Sequence, residues 1–486
     1  MILENGLIRT LDPQLPTQRA LAIAGERIAG GVGVHETALA SPDVVDLGGR
    51  VVLPGLNDAH VHFPTWALAQ DELSLEGCES LDEALAHVAG ARPGAGGWIR
   101  GRGWRGFEPT REQLDAVTGD VPAALMARDS HSLWLNSTAF RAVGVPPGSG
   151  LLREEDAWEF RDRYLGVSDD EYVEAMRRGL KLAASRGVTA VHDKDGWIGA
   201  LRMWQRLEST GSLTVRVWQS LPADKLHELR DVGLRSGFGS PLLRVGYLKV
   251  FMDGTLGSQT AWMLDGAGIR ITSGDELAEI VREGAAAGFP VAVHAIGDRA
   301  NREALDAFEA TREIWAPLGL RQRIEHAQLL APEDVGRFAA IGVAASVQFS
   351  HAPSDRDLAD RFWAGKTDGA YAYRSLLDSG AVVANGSDAP IEELDPLAGV
   401  CAGVRRTIDD RAAWHPEQAV TVQQAFEATC LAPAWLAGDE RRRGKLLPGY
   451  AADLVVLDRD PWVDLDAQVV ATMVAGRWVH NPPPWN

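Results

Sequence analysis

Short apolar runs separated by stretches of helical periodicity dominate the middle of the chain. Residues 187–193, 213–218, 243–251, 290–294, 322–326, 342–348 and 381–388 are rich in Val, Ile, Leu and Ala, and the run that begins at Val51 makes eight. Near-continuous apolar runs bounded by Gly, Pro or Asp are what strands buried on both faces require. Between them lie helix-like segments such as 275–283, which opens with Asp275 near a cap position. Alternating strands and helices predict a parallel sheet with crossover helices. Eight such units predict an α/β fold, a (β/α)8 TIM-like barrel with its chemistry at the C-terminal ends of the strands.

The two ends of the chain read differently. Short runs at 7–11, 20–23 and 27–32 are broken by Gly, Pro and Asp, and 449–458 and 467–479 match them in kind. Neither end holds enough strands for a stable sheet, so the termini are expected to pair into one small β-sandwich domain. The expected boundaries are 1–53 with 444–486 for that domain and 54–443 for the barrel. The interval from about 64 to 185 is too long for one βα loop; strand-like 98–104 and 123–127 and helix-like 172–176 predict an inserted subdomain after strand 1 that covers the barrel mouth.

Composition narrows the function. With 48 Lys and Arg against 67 Asp and Glu, the formal charge of −19 argues against nucleic acid or an anionic membrane as partner. Cys78, Cys401 and Cys430 are odd in number and far apart, which fits neither a disulfide framework nor a zinc finger, so a reducing cytoplasm is expected. No apolar stretch is long enough to span a bilayer, and the first residues do not read as a secretory leader.

Candidate chemistry begins at His60-Val61-His62. Residues i and i+2 of a strand share a face, so both imidazoles can converge on one point, as a metal would need. Lys249 lies near the end of the fourth run, His294 ends the fifth, His326 the sixth and Asp388 the eighth. In a barrel all of them face one mouth.

These residues sit in segments that carry a resemblance. Residues 54–62, 253–258, 294–298, 324–326 and 386–390, with 129–136 in the insertion and 448–454 near the end, are similar to the amidohydrolase superfamily. The resemblance is closest to its family 3 branch, which includes N-substituted formamide deformylase, and it covers nearly the whole chain. It implies a binuclear centre of two divalent metal ions; the imidazole and carboxylate donors make zinc the first expectation, though manganese, iron and cobalt tolerate the same set. His60, His62 and Asp388 would hold one ion, His294 and His326 the second, and Lys249, carboxylated by CO2, would bridge them. A carbamate is an anion with two oxygens and can span ions roughly 3.5–4 Å apart. It further implies a hydrolase that cleaves a C–N bond in a small amide, N-formyl or N-acyl compound through metal-activated hydroxide, with Asp388 as the proton shuttle.

Substrate contacts are less legible. His131, in the insertion motif, is a candidate, followed by Asp193 and Gln348 at the ends of the second and seventh runs. Among 16 tryptophans, Trp66, Trp104 and Trp262 fall just after strand-like runs, where a pocket is expected. An ester or lactone would be open to the same hydroxide. A deaminase of the superfamily resembles a pattern with Glu three residues after the fifth-strand histidine and no bridging lysine, whereas this chain has Gly297 and Lys249. A non-catalytic scaffold on the same fold would lack the ligands. The expected partner is a small-molecule amide, and the expected assembly a homo-oligomer, a dimer first.

Overall fold

The computed structural model describes residues 1–31 and 43–485. Val32, the last residue of the 27–32 run, lies outside them. Eight parallel strands form one sheet in sequence order: β1 (Leu56–Val61), β2 (Val188–Asp193), β3 (Arg216–Pro222), β4 (Leu243–Phe251), β5 (Val291–Ala295), β6 (Arg323–His326), β7 (Ala344–Val347) and β8 (Val383–Asn385). β1 and β8 are the two ends of this sheet, and the chain just beyond β8 brings them together. Asp388 N–H donates to His60 O at 2.7 Å and His62 N–H to Ala389 O at 2.9 Å. The approach needs glycine at 386, where a Cβ would fall 2.5 Å from His60 N. Asp58 straps the same junction, its carboxylate accepting from the backbone N–H groups of His60 at 3.0 Å and Ser387 at 3.1 Å.

One run is displaced from its strand. The apolar segment 213–218 predicts a strand three residues early; Leu213 and Val215 instead pack into the core as the lead-in, and β3 continues through the buried polar Gln219 and Ser220. Burial inside the barrel, which apolar pattern alone does not report, keeps those residues in the sheet. The helix over the 275–283 pattern spans Gly274–Ala287, and its cap is Ser273, not Asp275. Ser273 accepts from Glu276 N–H while the Glu276 carboxylate accepts from Ser273 N–H.

The chain ends form two sheets around Leu3, Ile8, Leu21, Val52, Leu454 and Met473. One is four-stranded and entirely N-terminal. The other is six-stranded and mixes the ends, with Val51–Pro54 antiparallel to Leu454–Leu457. The chain therefore passes from this sheet into β1 at Gly55, where a side chain would collide with Thr189. A bidentate ion pair of Arg216 on β3 with Asp453, at 2.6 and 2.9 Å, ties barrel to terminal sheet.

After β1 comes a further sheet of five strands, including Ile99–Trp104, Ala123–Ala127 and Ser132–Leu135. Its side chains are fastened to the loops after β4 and β8. Asp129 accepts from Ser258 Oγ at 2.7 Å, and Arg102 donates to Pro390 O at 2.9 Å. The helix Asp169–Ser185, within the same interval, packs Val173, Met176 and Leu180 with barrel residues Val61, Val188 and Val191. Among the described residues no helix is long and apolar enough to cross a membrane.

Candidate metal centre

Four histidines crowd the C-terminal mouth of the barrel. Ring centroids lie 5.6 Å apart for His60 and His62, 4.7 Å for His60 and His326, and 4.5 Å for His294 and His326. Asp388, in a left-handed conformation just beyond β8, places Oδ1 3.2 Å from His60 Nε2 and 3.6 Å from His62 Nε2. Lys249 is close enough for its charge to act on all four imidazoles.

Each imidazole has one nitrogen committed to an acceptor. His60 Nδ1 meets Glu325 Oε2 at 2.8 Å, His62 Nδ1 meets Asp195 Oδ1 at 2.7 Å, and His326 Nδ1 meets Gln348 Oε1 at 2.9 Å. His294 is turned the other way, with Nε2 3.1 Å from Gly254 O. An acceptor requires the ring proton on the nitrogen facing it, so the second nitrogen of each neutral ring keeps its lone pair. Burial holds His60, His294 and His326 below the ordinary imidazole range and so favours neutral rings. His62 is different: burial pushes it down, but the Asp195 carboxylate outweighs that and raises it.

The donor set fits a divalent cation. The lone pair of His60 Nε2 faces the carboxylate oxygen of Asp388 across 3.2 Å, two acceptors opposed in a buried place, an arrangement a cation relieves. Burial would raise the carboxyl of Asp388, while positive charge on His60 and His326 would hold it well below its usual range. Lys249 Nζ is buried with no hydrogen-bond partner among the described residues, and burial pushes its ammonium down to about 8. His60, His62 and Asp388 form one group able to hold a metal ion; His326 and Asp388 form another with His351.

Behind this layer stands a buried ion cluster. Glu325 Oε1 lies 2.9 Å from both Lys194 Nζ and Arg323 Nε, while its other oxygen holds His60, and all these side chains are inaccessible to solvent. Burial with the nearby Arg323 guanidinium pushes the Lys194 ammonium down to about 7 despite Glu325. On the next loops, Asp253 accepts from the N–H groups of Ile296, Gly297 and Trp262, joining the turn after β4 to the turn after β5.

The mouth opens into a cavity of about 760 Å³ walled on its far side by the inserted sheet. Trp104 and His131, both expected at the substrate, line it. Trp104 Nε1 donates to Leu125 O, and His131 Nδ1 meets Glu154 Oε2 at 2.6 Å. Burial lowers the His131 imidazole, but Glu154 and Asp129 outweigh it and raise it. Asp193 is placed elsewhere. It is fully buried behind β1, accepting from Trp204 Nε1 at 2.6 Å and from Asp195 N–H at 3.0 Å, and burial pushes it up to about 7. Gln348 is likewise not on the cavity wall but orients His326. Trp66 is core, packed on Phe63, and Trp262 packs against the barrel core; Trp158 and Trp197, which the sequence does not single out, line the cavity instead. Glu325 sits beside His326 in the sequence and Asp195 three residues after His192, but their roles depend on partners more than a hundred residues away.

A parallel eight-stranded barrel that gathers four oriented histidines, an aspartate and a buried lysine at its C-terminal mouth belongs to the class of metal-dependent hydrolases. The chain is a member of the amidohydrolase family, whose model matches residues 43–480. It is 30% identical to the Arabidopsis thaliana protein LONG AFTER FAR-RED 3, over 99% of this chain and 91% of that one. It is 27% identical to N-substituted formamide deformylase of Arthrobacter pascens, over 98% and 97%. Among solved structures, an uncharacterized metal-dependent hydrolase from Pyrococcus horikoshii superposes with a TM-score of 0.80 at 27% identity, covering 95% of this chain and 98% of that one.

Proposed function

We propose that the chain hydrolyses a C–N bond in a small amide, N-formyl or N-acyl compound at a binuclear centre. The observation that carries this reading is the fixed ring orientation of His60, His62, His294 and His326 around Asp388 and a buried Lys249 that has no hydrogen-bond partner among the described residues. His60, His62 and Asp388 would hold one ion, His294 and His326 the other. Imidazole and carboxylate donors make zinc the first choice over manganese, iron or cobalt. A pair of such ions supplies Lewis acidity toward the scissile carbonyl and lowers the pKa of a water from about 15.7 toward 7.

The protein's own residues do the rest. Carboxylation needs a neutral amine, and burial, by lowering Lys249 to about 8, provides a fraction of it at neutral pH. The carbamate would bridge the two ions. Asp388 accepts the proton of the attacking water at its carboxylate. When the C–N bond breaks, Asp388 returns that proton to the departing nitrogen, giving a carboxylic acid and an amine. The cavity, with Trp104, Phe107, Met126 and Trp158 on its walls, accepts an apolar or aromatic substituent. The activity in the name of the Arthrobacter pascens relative belongs to the same reaction class. Chelation followed by zinc and bicarbonate tests the reading on a panel of N-formyl and N-acyl amines. Hydrolysis is expected to disappear and return, and metal-free protein that turns over the panel at an unchanged rate would refute it.

A further inference from the structure

Gln328 and His351 follow β6 and β7, both line the cavity, and both are buried, at 4% and 3% exposure. Gln328 Nε2 donates to His351 Nδ1 at 3.1 Å. This is the reverse of what the other four histidines do. They meet acceptors and keep a lone pair for the site, whereas His351 meets a donor, so its ring proton stands on Nε2. Its ring lies parallel to that of His326, with centroids 6.4 Å apart.

Two atoms are then left over. His351 Nε2 is a donor and Gln328 Oε1 an acceptor, and each is buried with no hydrogen-bond partner among the described residues. Buried polar atoms of this kind are rare unless something not yet present pairs with them. The two residues on this cavity wall thus hold one buried donor and one buried acceptor beside the candidate metal centre. A secondary amide carries the complementary set, a carbonyl oxygen that accepts and an N–H that donates. An ester carries the carbonyl oxygen alone and would leave Gln328 Oε1 unpaired.

We infer that His351 Nε2–H donates to the carbonyl oxygen of the scissile group and Gln328 Oε1 accepts its N–H, so that this pair selects amides over esters. The inference rests on the hydrolase reading above. It goes beyond that reading by assigning substrate recognition to two residues outside the proposed ligand set.

The test uses acetanilide and phenyl acetate, which differ only at the scissile NH or O, with full-length zinc-loaded enzyme. Gln328→Met keeps the side-chain length and removes the acceptor. It is expected to lower kcat/KM for acetanilide about 10- to 100-fold and for phenyl acetate less than about threefold. His351→Phe removes the donor to the carbonyl oxygen common to both and is expected to lower both substrates together, with His351→Asn restoring part of each. Metal content is expected to equal that of the wild type in all three variants. An unchanged amide-to-ester ratio in Gln328→Met overturns the inference, as does loss of an equivalent of metal in His351→Phe, which would make His351 a ligand. If the wild type hydrolyses neither compound, the hydrolase reading is decided by the N-formyl and N-acyl amine panel, and calorimetric binding of the same two compounds decides the pair. Selective loss of acetanilide binding in Gln328→Met supports the assignment, and equal loss of both overturns it.

Discussion

Replacing Glu325 by glutamine separates what the buried ion cluster does for folding from what it does for the site. The side chain keeps its shape and still offers His60 Nδ1 an oxygen, but the negative charge 2.9 Å from both Lys194 Nζ and Arg323 Nε is gone. Two fully buried cations are left without a counter-charge, which costs roughly 3–5 kcal/mol. His60 also loses the carboxylate that fixes its ring and raises its basicity, a change that typically weakens metal binding about 10- to 100-fold, or roughly 1.4–2.8 kcal/mol. Lys194→Met added to Glu325→Gln removes one stranded ammonium. The double variant is therefore expected to recover part of the stability and none of the zinc affinity. Stability is read by urea denaturation of metal-stripped protein, and affinity by competition with a chromophoric chelator. A Glu325→Gln variant with wild-type zinc affinity, or a double variant that regains affinity along with stability, would refute the reasoning. The pH dependence has a definite sign. The Arg323 and Lys194 charges, with the hydrogen bond from His60, overcome burial and hold Glu325 well below its ordinary 4.5, so its contribution is complete above that value and is lost as pH falls below it.

Asp388→Asn keeps the shape of the proton carrier and removes its function; kcat is expected to fall by about 10²- to 10⁴-fold with much of the metal retained, and a variant with wild-type kcat would exclude the shuttle. Lys249→Ala is expected to lose binuclear occupancy in elemental analysis and to regain it with a short carboxylic acid, which can stand in for the carbamate oxygens. Full metal content without that addition would show that the lysine is not a bridge. Arg216→Met breaks the buried bidentate pair with Asp453 and is expected to cost about 3–5 kcal/mol in denaturation; a loss under about 1 kcal/mol would show that the terminal sheet is held by packing alone.

Much of the barrel was legible because its strands are apolar on both faces and end in residues of one chemical kind. His60 and His62, two apart, need only the period of a strand to share a face, and His294, His326 and Asp388 need only their places at successive strand ends. Side chains whose meaning depends on distant partners were not legible. Lys194 follows Asp193 just past the end of the second run, and Glu325, far away in sequence, draws it into full burial. In the same stretch Asp193, expected at the substrate, is pinned by Trp204 behind the strand, while Asp195 orients His62. Gln348 alternates away from the cavity on β7's exit and meets His326. Its neighbour in role, Gln328, has no periodic pattern around it, and neither does His351 at the start of the helix after β7.

Metal stoichiometry measured together with hydrolysis tests the central claim most directly. Protein purified without chelator and assayed on a panel of N-formyl and N-acyl amines is expected to carry two zinc-class ions per chain, to lose turnover as they are removed, and to recover it with zinc and bicarbonate. A chain that binds no ion under these conditions and gains no activity on their addition would contradict it.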